Sequence, residues 1–317
     1  MLNQADYTIV GIDGGGTHTR GVLYRNNEIV ATAMAGTSRI GSVGIGESCE
    51  RTLNVIQDLC NQTQIETTEI DALVVGLAGI WLEEEKKRAV SLMRTLSKSQ
   101  NMHFNDIFVM SDAEIALEGS LGDDDGIIII VGTGSIGIAR KGEGKLLRCG
   151  GWGIELDDEG SGAWIGREGL TAVVRDLDGR GQKTKLTQKF AKITPIIDLE
   201  NPRTIVKAFS EKSFEYYMIS PLVMECAVEG DEVCLEIINR SAVHLSELPT
   251  TLAKNFGKKK VKVALMGGII DNDTLLSRKL IAELKTKNNL ELIKPNGNAL
   301  DGAIRIGKKK IAQSEEM

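Results

Sequence analysis

Two stretches of this chain share one pattern: Ile-Val-Gly-Ile-Asp-Gly-Gly-Gly-Thr at residues 9–17 and Ile-Ile-Ile-Val-Gly-Thr-Gly-Ser at residues 128–135. Each is a run of β-branched residues that ends in glycines with a hydroxyl residue. A glycine turn of this kind exposes several backbone N–H groups, and such groups bind phosphate oxygens. Two ordinary hairpins are the alternative, but their recurrence at equivalent places favours a pair of phosphate-binding turns.

The residues after each glycine turn predict the same order of elements twice. In the first half, three short strands precede a helix at about 46–61, a strand at 71–77, a helix at 82–96 and a strand at 107–110. Hydrophobic spacing at period 3.6 or 2 supports each assignment. This order, βββαβαβ, describes a hairpin-bearing sheet that becomes parallel with helical crossovers.

The second half restarts this order at Gly126 and is interrupted by a mostly helical section at about 161–256. It resumes with a strand at 261–265, a helix at 273–287, a strand at 290–293 and a final helix at 299–311. The sequence therefore predicts an α/β protein of two similar lobes, 1–117 and 118–317, with a helical insertion in the second. Ligands of open α/β sheets bind beyond the carboxyl ends of the strands, so we expect them at the cleft between the lobes.

Composition excludes several classes of protein. The 317 residues carry a net charge of −6, which argues against nonspecific binding of nucleic acid. The longest aliphatic run, residues 127–131, is too short to span a bilayer, and residues 1–8 lack the features of a signal peptide. The five cysteines form no CxxC pair, which argues against zinc and iron–sulfur sites and favours a reduced cytoplasmic protein.

Two aspartates end predicted strands near the phosphate turns. Asp13 directly precedes the first turn, where a carboxylate could hold Mg²⁺, because this ion favours carboxylate and substrate phosphate ligands. Asp112 follows the strand at 107–110 and could accept a proton from a hydroxyl that attacks phosphorus. The alternatives are a turn aspartate at 13 and the N-cap of a helix at 112.

A third candidate region is the stretch Gly-Gly-Trp-Gly-Ile-Glu-Leu-Asp-Asp-Glu-Gly-Ser at residues 150–161. Glycines on both sides of Trp152 would expose its ring, and aromatic faces pack against the C–H faces of pyranoses. The acidic residues 157–159 could accept sugar hydroxyl protons. A core tryptophan beside an acidic loop is the alternative. The three histidines form no metal-spaced set, and we assign no chemistry to His18 beside the first turn.

These motifs together resemble the actin-like sugar kinase/Hsp70 ATPase superfamily, with its ribonuclease H-like duplicated fold. The Gly150-Gly-Trp-Gly153 and Asp158-Glu-Gly-Ser161 segments resemble its N-acetylglucosamine kinase branch, which is grouped with the activator ATPases of benzoyl-CoA reductase and 2-hydroxyacyl-CoA dehydratase. The resemblance runs from about residue 8 to 307. It implies an ATP- and Mg²⁺-dependent kinase that forms a homodimer.

The resemblance also implies roles for individual residues. Asp112 matches the catalytic base. The remaining positions match residues that bind ATP phosphates (Gly14, Gly15, Gly16, Thr17, Thr133, Gly134 and Ser135), that lie beside the adenosine (Gly267 and Gly268), or that contact the amino sugar (Ser38, Arg39, Gly151, Trp152 and Asp158).

One position departs from the branch. The Ser/Thr-Asn pair expected before the sugar is Ser38-Arg39 in this chain. Asparagine offers a donor and an acceptor, whereas arginine offers only donors and a fixed charge. Arg39 could therefore favour a sugar that carries an acid group, such as N-acetylmuramic acid, or could pair with Asp157 or Glu159 and only shape the site.

The leading interpretation is a kinase of N-acetylglucosamine or glucosamine that acts on the 6-hydroxyl. The second is an activator ATPase, which needs closely spaced cysteines for a bridging iron–sulfur cluster; this chain lacks that spacing. A nucleotide-dependent sugar sensor is a third, which would require a lost base, whereas Asp112 is present.

Overall fold

The computed structural model describes residues 7–142, 145–257 and 259–316. The chain divides into two compact units. The first unit comprises Met1–Asp124 and Lys294–Met317, and the second comprises Asp125–Ile293. No helix among the described residues is long and apolar enough to cross a membrane.

The first unit is built on a five-stranded sheet with the order β3-β2-β1-β4-β5. Strands β1 to β3 form antiparallel pairs, and β4 and β5 continue the sheet in parallel with β1. The strands are β1 (Ile9–Gly14), β2 (His18–Arg25), β3 (Glu28–Gly36), β4 (Ala72–Leu77) and β5 (Ile107–Ser111), and the helices are α1 (Ile40–Thr63), α2 (Glu83–Ser99), α3 (Asp112–Leu121) and α10 (Ala299–Glu315).

Alternate residues of each strand of this sheet face opposite helical layers, as the period of a strand requires. Val10 and Ile12 pack in a core with Leu53 and Ile56 of α1. Ile9, one residue away, packs with Ile304 of α10 on the other face. Both faces are therefore covered, which explains why all six residues of β1 are buried.

The second unit repeats this topology in a sheet of order β10-β9-β6-β7-β8. Its strands are β6 (Gly126–Val131), β7 (Ser135–Lys141), β8 (Lys145–Gly150), β9 (Val261–Met266) and β10 (Leu290–Ile293). Between β8 and β9 lie α4 (Gly162–Leu177), α5 (Leu186–Ile193), α6 (Thr204–Ser210), α7 (Tyr216–Val228) and α8 (Glu232–Ala253), and α9 (Leu275–Lys285) links β9 to β10. The prediction of a duplicated βββαβαβ fold with a helical insertion is confirmed.

The division of the chain differs from the predicted boundaries 1–117 and 118–317. Residues 294–317, which the sequence pattern assigns to the second lobe, belong to the first unit. The reason is a close approach of α10 to α3 and β1. A Cβ atom on Gly302 would collide with the carbonyl of Ile115, and one on Gly307 would lie 2.7 Å from Ile9.

The first helix also begins earlier than predicted, at Ile40 rather than near residue 46. Gly44, with φ 78° and ψ 161°, interrupts it, so the predicted helix corresponds to the part after this kink. The part of α1 before the kink matters for the site because the N-cap of the helix is Arg39.

Candidate active site

The first glycine turn connects β1 to β2. The N–H of Gly15 donates to the carbonyl of His18 at 3.0 Å, and Thr37 Oγ1 donates to the carbonyl of Gly15 at 3.1 Å. Gly14 is buried, whereas Gly16 and Thr17 are exposed at the outside of the turn. The turn thus presents its middle to solvent at the carboxyl end of a buried strand, which is where a phosphate could approach.

Asp13 lies at the end of β1 with 6% of its surface exposed. It faces Arg20 across the antiparallel β1–β2 pair, and Arg20 Nη2 donates to Asp13 Oδ2 at 2.5 Å. Burial of a carboxylate is costly unless it is paired. The ion pair with Arg20 satisfies this requirement, and no signal in the sequence indicates Arg20 as part of the site.

Asp112 is the first residue of α3, directly after β5. The N-cap is Ser111, whose Oγ accepts from the N–H of Glu114 at 3.2 Å, while Glu114 Oε2 accepts from the N–H of Ser111 at 2.7 Å. The alternative role of Asp112 as the N-cap is therefore wrong, because Ser111 performs it. Asp112 Oδ1 accepts from the N–H of Ala113 at 2.9 Å, which orients the carboxylate at the head of the helix.

The surroundings of Asp112 favour its neutral form. Burial raises the pKa of Asp112 to about 7, and the negative charge of Asp13 adds to this rise. The Ala113 N–H and the positive charge of Arg39 act in the opposite direction and lower that pKa. A carboxylate with a pKa near neutrality is suited to accept a proton at the working pH of an enzyme.

Ser38 and Arg39, the predicted sugar contacts, have different environments. The Ser38 side chain is fully buried, and its hydroxyl lies against Gly14. Arg39 is partly buried, and its N–H donates to Thr37 Oγ1 at 3.0 Å. Its guanidinium makes no hydrogen bond or ion pair within the described part of the first unit. Ser38 therefore supports the glycine turn, and Arg39 is the residue of this pair that can reach a ligand.

The second glycine turn connects β6 to β7 in the second unit. The N–H of Gly132 donates to the carbonyl of Gly134 at 2.9 Å. The first turn of α4 packs on it, since Ala163 N–H donates to the carbonyl of Thr133 at 2.9 Å. Ser135, at the start of β7, is buried, and its Oγ donates to the carbonyl of Glu159 at 3.0 Å. The N-terminus of α4, the positive end of its dipole, thus lies beside the turn.

Trp152 projects from the loop after β8 with 65% of its surface exposed. The guanidinium carbon of Arg148 lies 4.5 Å from the ring centroid. The flanking Gly151 and Gly153 have φ of 74° and 92°. The alternative of a core tryptophan is wrong for Trp152, because Trp164, at 4% exposure, occupies the core instead.

Asp158 is buried at the base of this loop, with 3% of its surface exposed and a left-handed φ of 52°. Its Oδ1 accepts from the N–H of Gly153 at 3.3 Å. The other carboxylate oxygen lies against Gly134 of the glycine turn. The structure thus brings Asp158 to the phosphate turn as well as to the tryptophan loop, a contact that no sequence pattern indicates.

Gly267 and Gly268 follow β9. Gly267 has φ 104°, and a Cβ atom there would lie 2.5 Å from the carbonyl oxygen of Val131, so only glycine fits without strain. Gly268 opens on a groove of about 550 Å³. The apolar residues of its lining are Pro221, Met224, Val228, Ile269 and Leu275. This groove has the size and apolar character of a site for a flat heterocycle.

The comparisons with known proteins agree with this fold. Residues 10–304 match the model of the BadF/BadG/BcrA/BcrD ATPase family, and the chain belongs to that family. Membership confirms the predicted relationship and the use of ATP.

An N-acetylmuramic acid/N-acetylglucosamine kinase of Clostridium acetobutylicum is 30% identical over 268 residues, which are 83% of this chain and 86% of that protein. The glucosamine kinase GspK of Vibrio cholerae is 26% identical over 303 residues, 95% of both chains. Among solved structures, a candidate N-acetylglucosamine kinase from Chromobacterium violaceum superposes with a TM-score of 0.77 at 25% identity and covers 95% of this chain and 99% of its own. These relatives support the prediction of an ATP-dependent sugar kinase.

Proposed function

We propose that this protein transfers the γ-phosphoryl group of ATP to the 6-hydroxyl of an amino sugar, N-acetylglucosamine or glucosamine. The observation that carries the proposal is the position of Asp112: it heads α3, interacts electrostatically with the buried Asp13, and has a pKa of about 7. A phosphate-binding turn, a buried carboxylate and a base with a neutral pKa in one unit are the parts that phosphoryl transfer to an alcohol requires.

Asp112 acts as the general base. Because its Oδ1 accepts from Ala113, we assign the proton of the sugar hydroxyl to Oδ2. As this proton moves to Asp112, the hydroxyl oxygen forms its bond to the γ-phosphorus, and the bond between that phosphorus and the β–γ bridging oxygen of ATP breaks. The products are the sugar 6-phosphate and ADP, and Asp112 returns its proton to solvent.

The residues present fit a magnesium ion. Asp13 supplies a hard carboxylate oxygen at the end of β1, and no group of three or more His, Cys, Asp or Glu among the described residues could hold a metal by itself. This donor set suits Mg²⁺, which binds to one or two carboxylates together with substrate phosphates. A bound Mg²⁺ would neutralise charge on the phosphates. Asp13 would hold that ion at the end of β1.

The two glycine turns, Gly14–Thr17 and Thr133–Ser135, would donate backbone N–H groups to ATP phosphates. The groove beside Gly268 would take the adenosine, with its apolar lining against the base. Support for this assignment comes from the open space at Gly268: apart from its chain neighbours, no atom of the described residues lies within 4 Å of the place that a Cβ atom would occupy.

Trp152 and Gly151 would contact the sugar through the exposed indole ring and the backbone. Asp158, being buried, would hold the loop that carries them and contact the sugar only if the loop rearranges. Support comes from the exposure of the ring, which at 65% leaves aromatic surface available to the C–H face of a pyranose.

N-acetylmuramic acid is a second candidate substrate, and Arg39 favours it. A guanidinium that makes no hydrogen bond or ion pair among the described residues of its own unit is suited to a carboxylate, which it binds bidentately. The relative from Clostridium acetobutylicum is named for both sugars.

The role of an activator ATPase is disfavoured by the cysteines. All five are free, and four of them are buried, with only Cys149 partly exposed. We also propose a cytoplasmic homodimer, by resemblance to the branch; light scattering on the purified protein tests the dimer.

A coupled assay of ADP release over hexoses, amino sugars, N-acetyl sugars and N-acetylmuramic acid tests the function. We expect turnover with an amino sugar and a product phosphorylated at position 6, identified by NMR. Hydrolysis of ATP that no sugar accelerates would contradict the proposal.

A further inference from the structure

Arg20 is hydrogen-bonded to Asp13, the residue that the proposed function assigns to the metal ion. Its Nη2 lies 2.5 Å from Asp13 Oδ2, while 60% of its side chain remains exposed. Asp13, by contrast, has a side chain exposed by only 8%. A long, mostly exposed cation therefore reaches from solvent onto a buried carboxylate at the end of the central strand.

A cation bound to Asp13 Oδ2 and the guanidinium of Arg20 would compete for one oxygen atom. Two positive groups at that oxygen repel each other, and the partly buried position limits screening by solvent. Because Arg20 is mostly exposed, it can leave without disrupting the core. Asp13 is held by strand pairing on both sides and stays in place.

The same guanidinium lies close to the first glycine turn. Arg20 is three residues beyond Thr17, on the strand that leaves the turn. Arginine binds phosphate oxygens through paired N–H donors. Once displaced from Asp13, its guanidinium has a partner available in a phosphate bound at Gly14–Thr17.

We infer that Arg20 exchanges one partner for another, an inference that rests on the proposed function. In the ligand-free protein Arg20 holds Asp13. It then yields that carboxylate to the divalent cation and pairs with a nucleotide phosphate. Arg20 thus opposes binding of the metal alone and favours binding of the metal–nucleotide complex. Opposite effects on the two ligands are the signature of exchange. A purely structural ion pair would weaken both or neither when removed.

The test measures two dissociation constants for Arg20→Gln. Mn²⁺ is titrated into nucleotide-free protein and followed by electron paramagnetic resonance, and ADP binding in the presence of Mg²⁺ is followed by calorimetry. We expect the Mn²⁺ dissociation constant to fall about tenfold, because a competing charge is removed, and that for ADP with Mg²⁺ to rise about tenfold. Arg20→Lys keeps the charge and should lie between these values and wild type.

Arg25→Gln is the matched control. Arg25 lies on the same strand and also pairs with a carboxylate, Glu69, at 3.6 Å, but at the far end of β2. The Arg25→Gln substitution removes the same charge from the protein and should leave both dissociation constants unchanged. Asp13→Asn should abolish Mn²⁺ binding and remove the effect of Arg20→Gln in the double variant.

The inference is overturned if the Arg20→Gln variant binds Mn²⁺ no more tightly than wild type, or binds none. It is also overturned if the dissociation constants for Mn²⁺ and for ADP with Mg²⁺ change in the same direction. These constants need no sugar. A failure of the proposed function appears separately, as wild-type protein that phosphorylates no sugar of the panel.

Discussion

The carboxylate of Asp158 packs directly against Gly134, so that a Cβ atom on Gly134 would lie 2.7 Å from Asp158 Oδ2. Through its other oxygen, Asp158 accepts from Gly153 in the loop of Trp152. One buried side chain therefore connects the second phosphate turn to the proposed sugar loop.

Gly134→Ala should consequently impair both substrates. The added methyl group displaces Asp158 and moves the turn and the loop together, so we expect the KM for ATP and for the sugar to rise at least severalfold. Gly132→Ala is the matched control in the same turn, because among the described residues only its chain neighbours lie within 4 Å of its Cβ position. Steady-state kinetics with each substrate varied in turn would measure both KM values. A rise in the KM for ATP alone would show that Asp158 does not connect the turn to the sugar loop.

Asp112→Asn should abolish phosphoryl transfer and leave ATP binding nearly intact. The amide retains the shape of the side chain but cannot accept the proton, and loss of a general base costs about 10²–10⁴-fold in rate. Asp106→Asn, an exposed position just before β5, serves as control and should behave as wild type. A third of wild-type turnover in Asp112→Asn would remove this residue from the mechanism.

The pH dependence of kcat/KM should report the same carboxylate. A base must be deprotonated, so activity should rise with pH through the pKa of Asp112, which is raised to about 7. Arg39 lowers that pKa, and Arg39→Gln should therefore shift the acidic limb to higher pH. Profiles of both proteins on one sugar check the sign. A shift to lower pH, or none, would place Arg39 outside the field of Asp112.

Trp152→Ala should raise the KM for the sugar strongly and leave ATP affinity almost unchanged. Its thermal stability should stay near that of wild type, because the ring is 65% exposed. Trp164→Ala offers the contrast: this ring is 4% exposed, and its removal should destabilise the fold by about 3–5 kcal/mol. Melting curves measure the stability of both variants, and steady-state kinetics measure the KM for the sugar and for ATP. A normal KM for Trp152→Ala would remove the ring from the sugar site.

Arg39→Asn should distinguish acidic from neutral sugars. If the guanidinium binds a carboxylate of the substrate, activity toward N-acetylmuramic acid should fall by about 2–5 kcal/mol in transition-state stabilisation. Activity toward N-acetylglucosamine should be unaffected or improved. The measurement is kcat/KM for both sugars with each protein. Equal losses on the two sugars would leave Arg39 a role in shaping the site.

Local patterns in the sequence were sufficient for most elements of this fold. The strand at 290–293 has its predicted bounds, and the order βββαβαβ recurs as expected, because both depend on local hydrophobic period and turn residues. The place of α10 was not predictable in this way. It depends on contacts such as Gly307 with Ile9, which are distant in sequence and leave no local pattern.

The candidate site shows the same limit. Asp13 and Asp112 were identifiable because each lies at the carboxyl end of an apolar strand. The pairing of Arg20 with Asp13 depends on the register of β1 and β2, and the burial of Asp158 depends on its contact with Gly134. Neither the ion pair nor the burial is encoded in a sequence motif, because both depend on side-chain packing in the folded protein.

The return of α10 to the first unit has a consequence for the order of folding during synthesis. The second unit, Asp125–Ile293, is one uninterrupted segment, whereas the first is completed only when residues 294–317 have left the ribosome. Until then, Ile9 and Val22 lack the apolar surface of Ile304 that covers them in the finished protein. Although domains generally fold from the N-terminus onward during translation, here the later-made unit can close its core first, and the first-made half waits for the last helix.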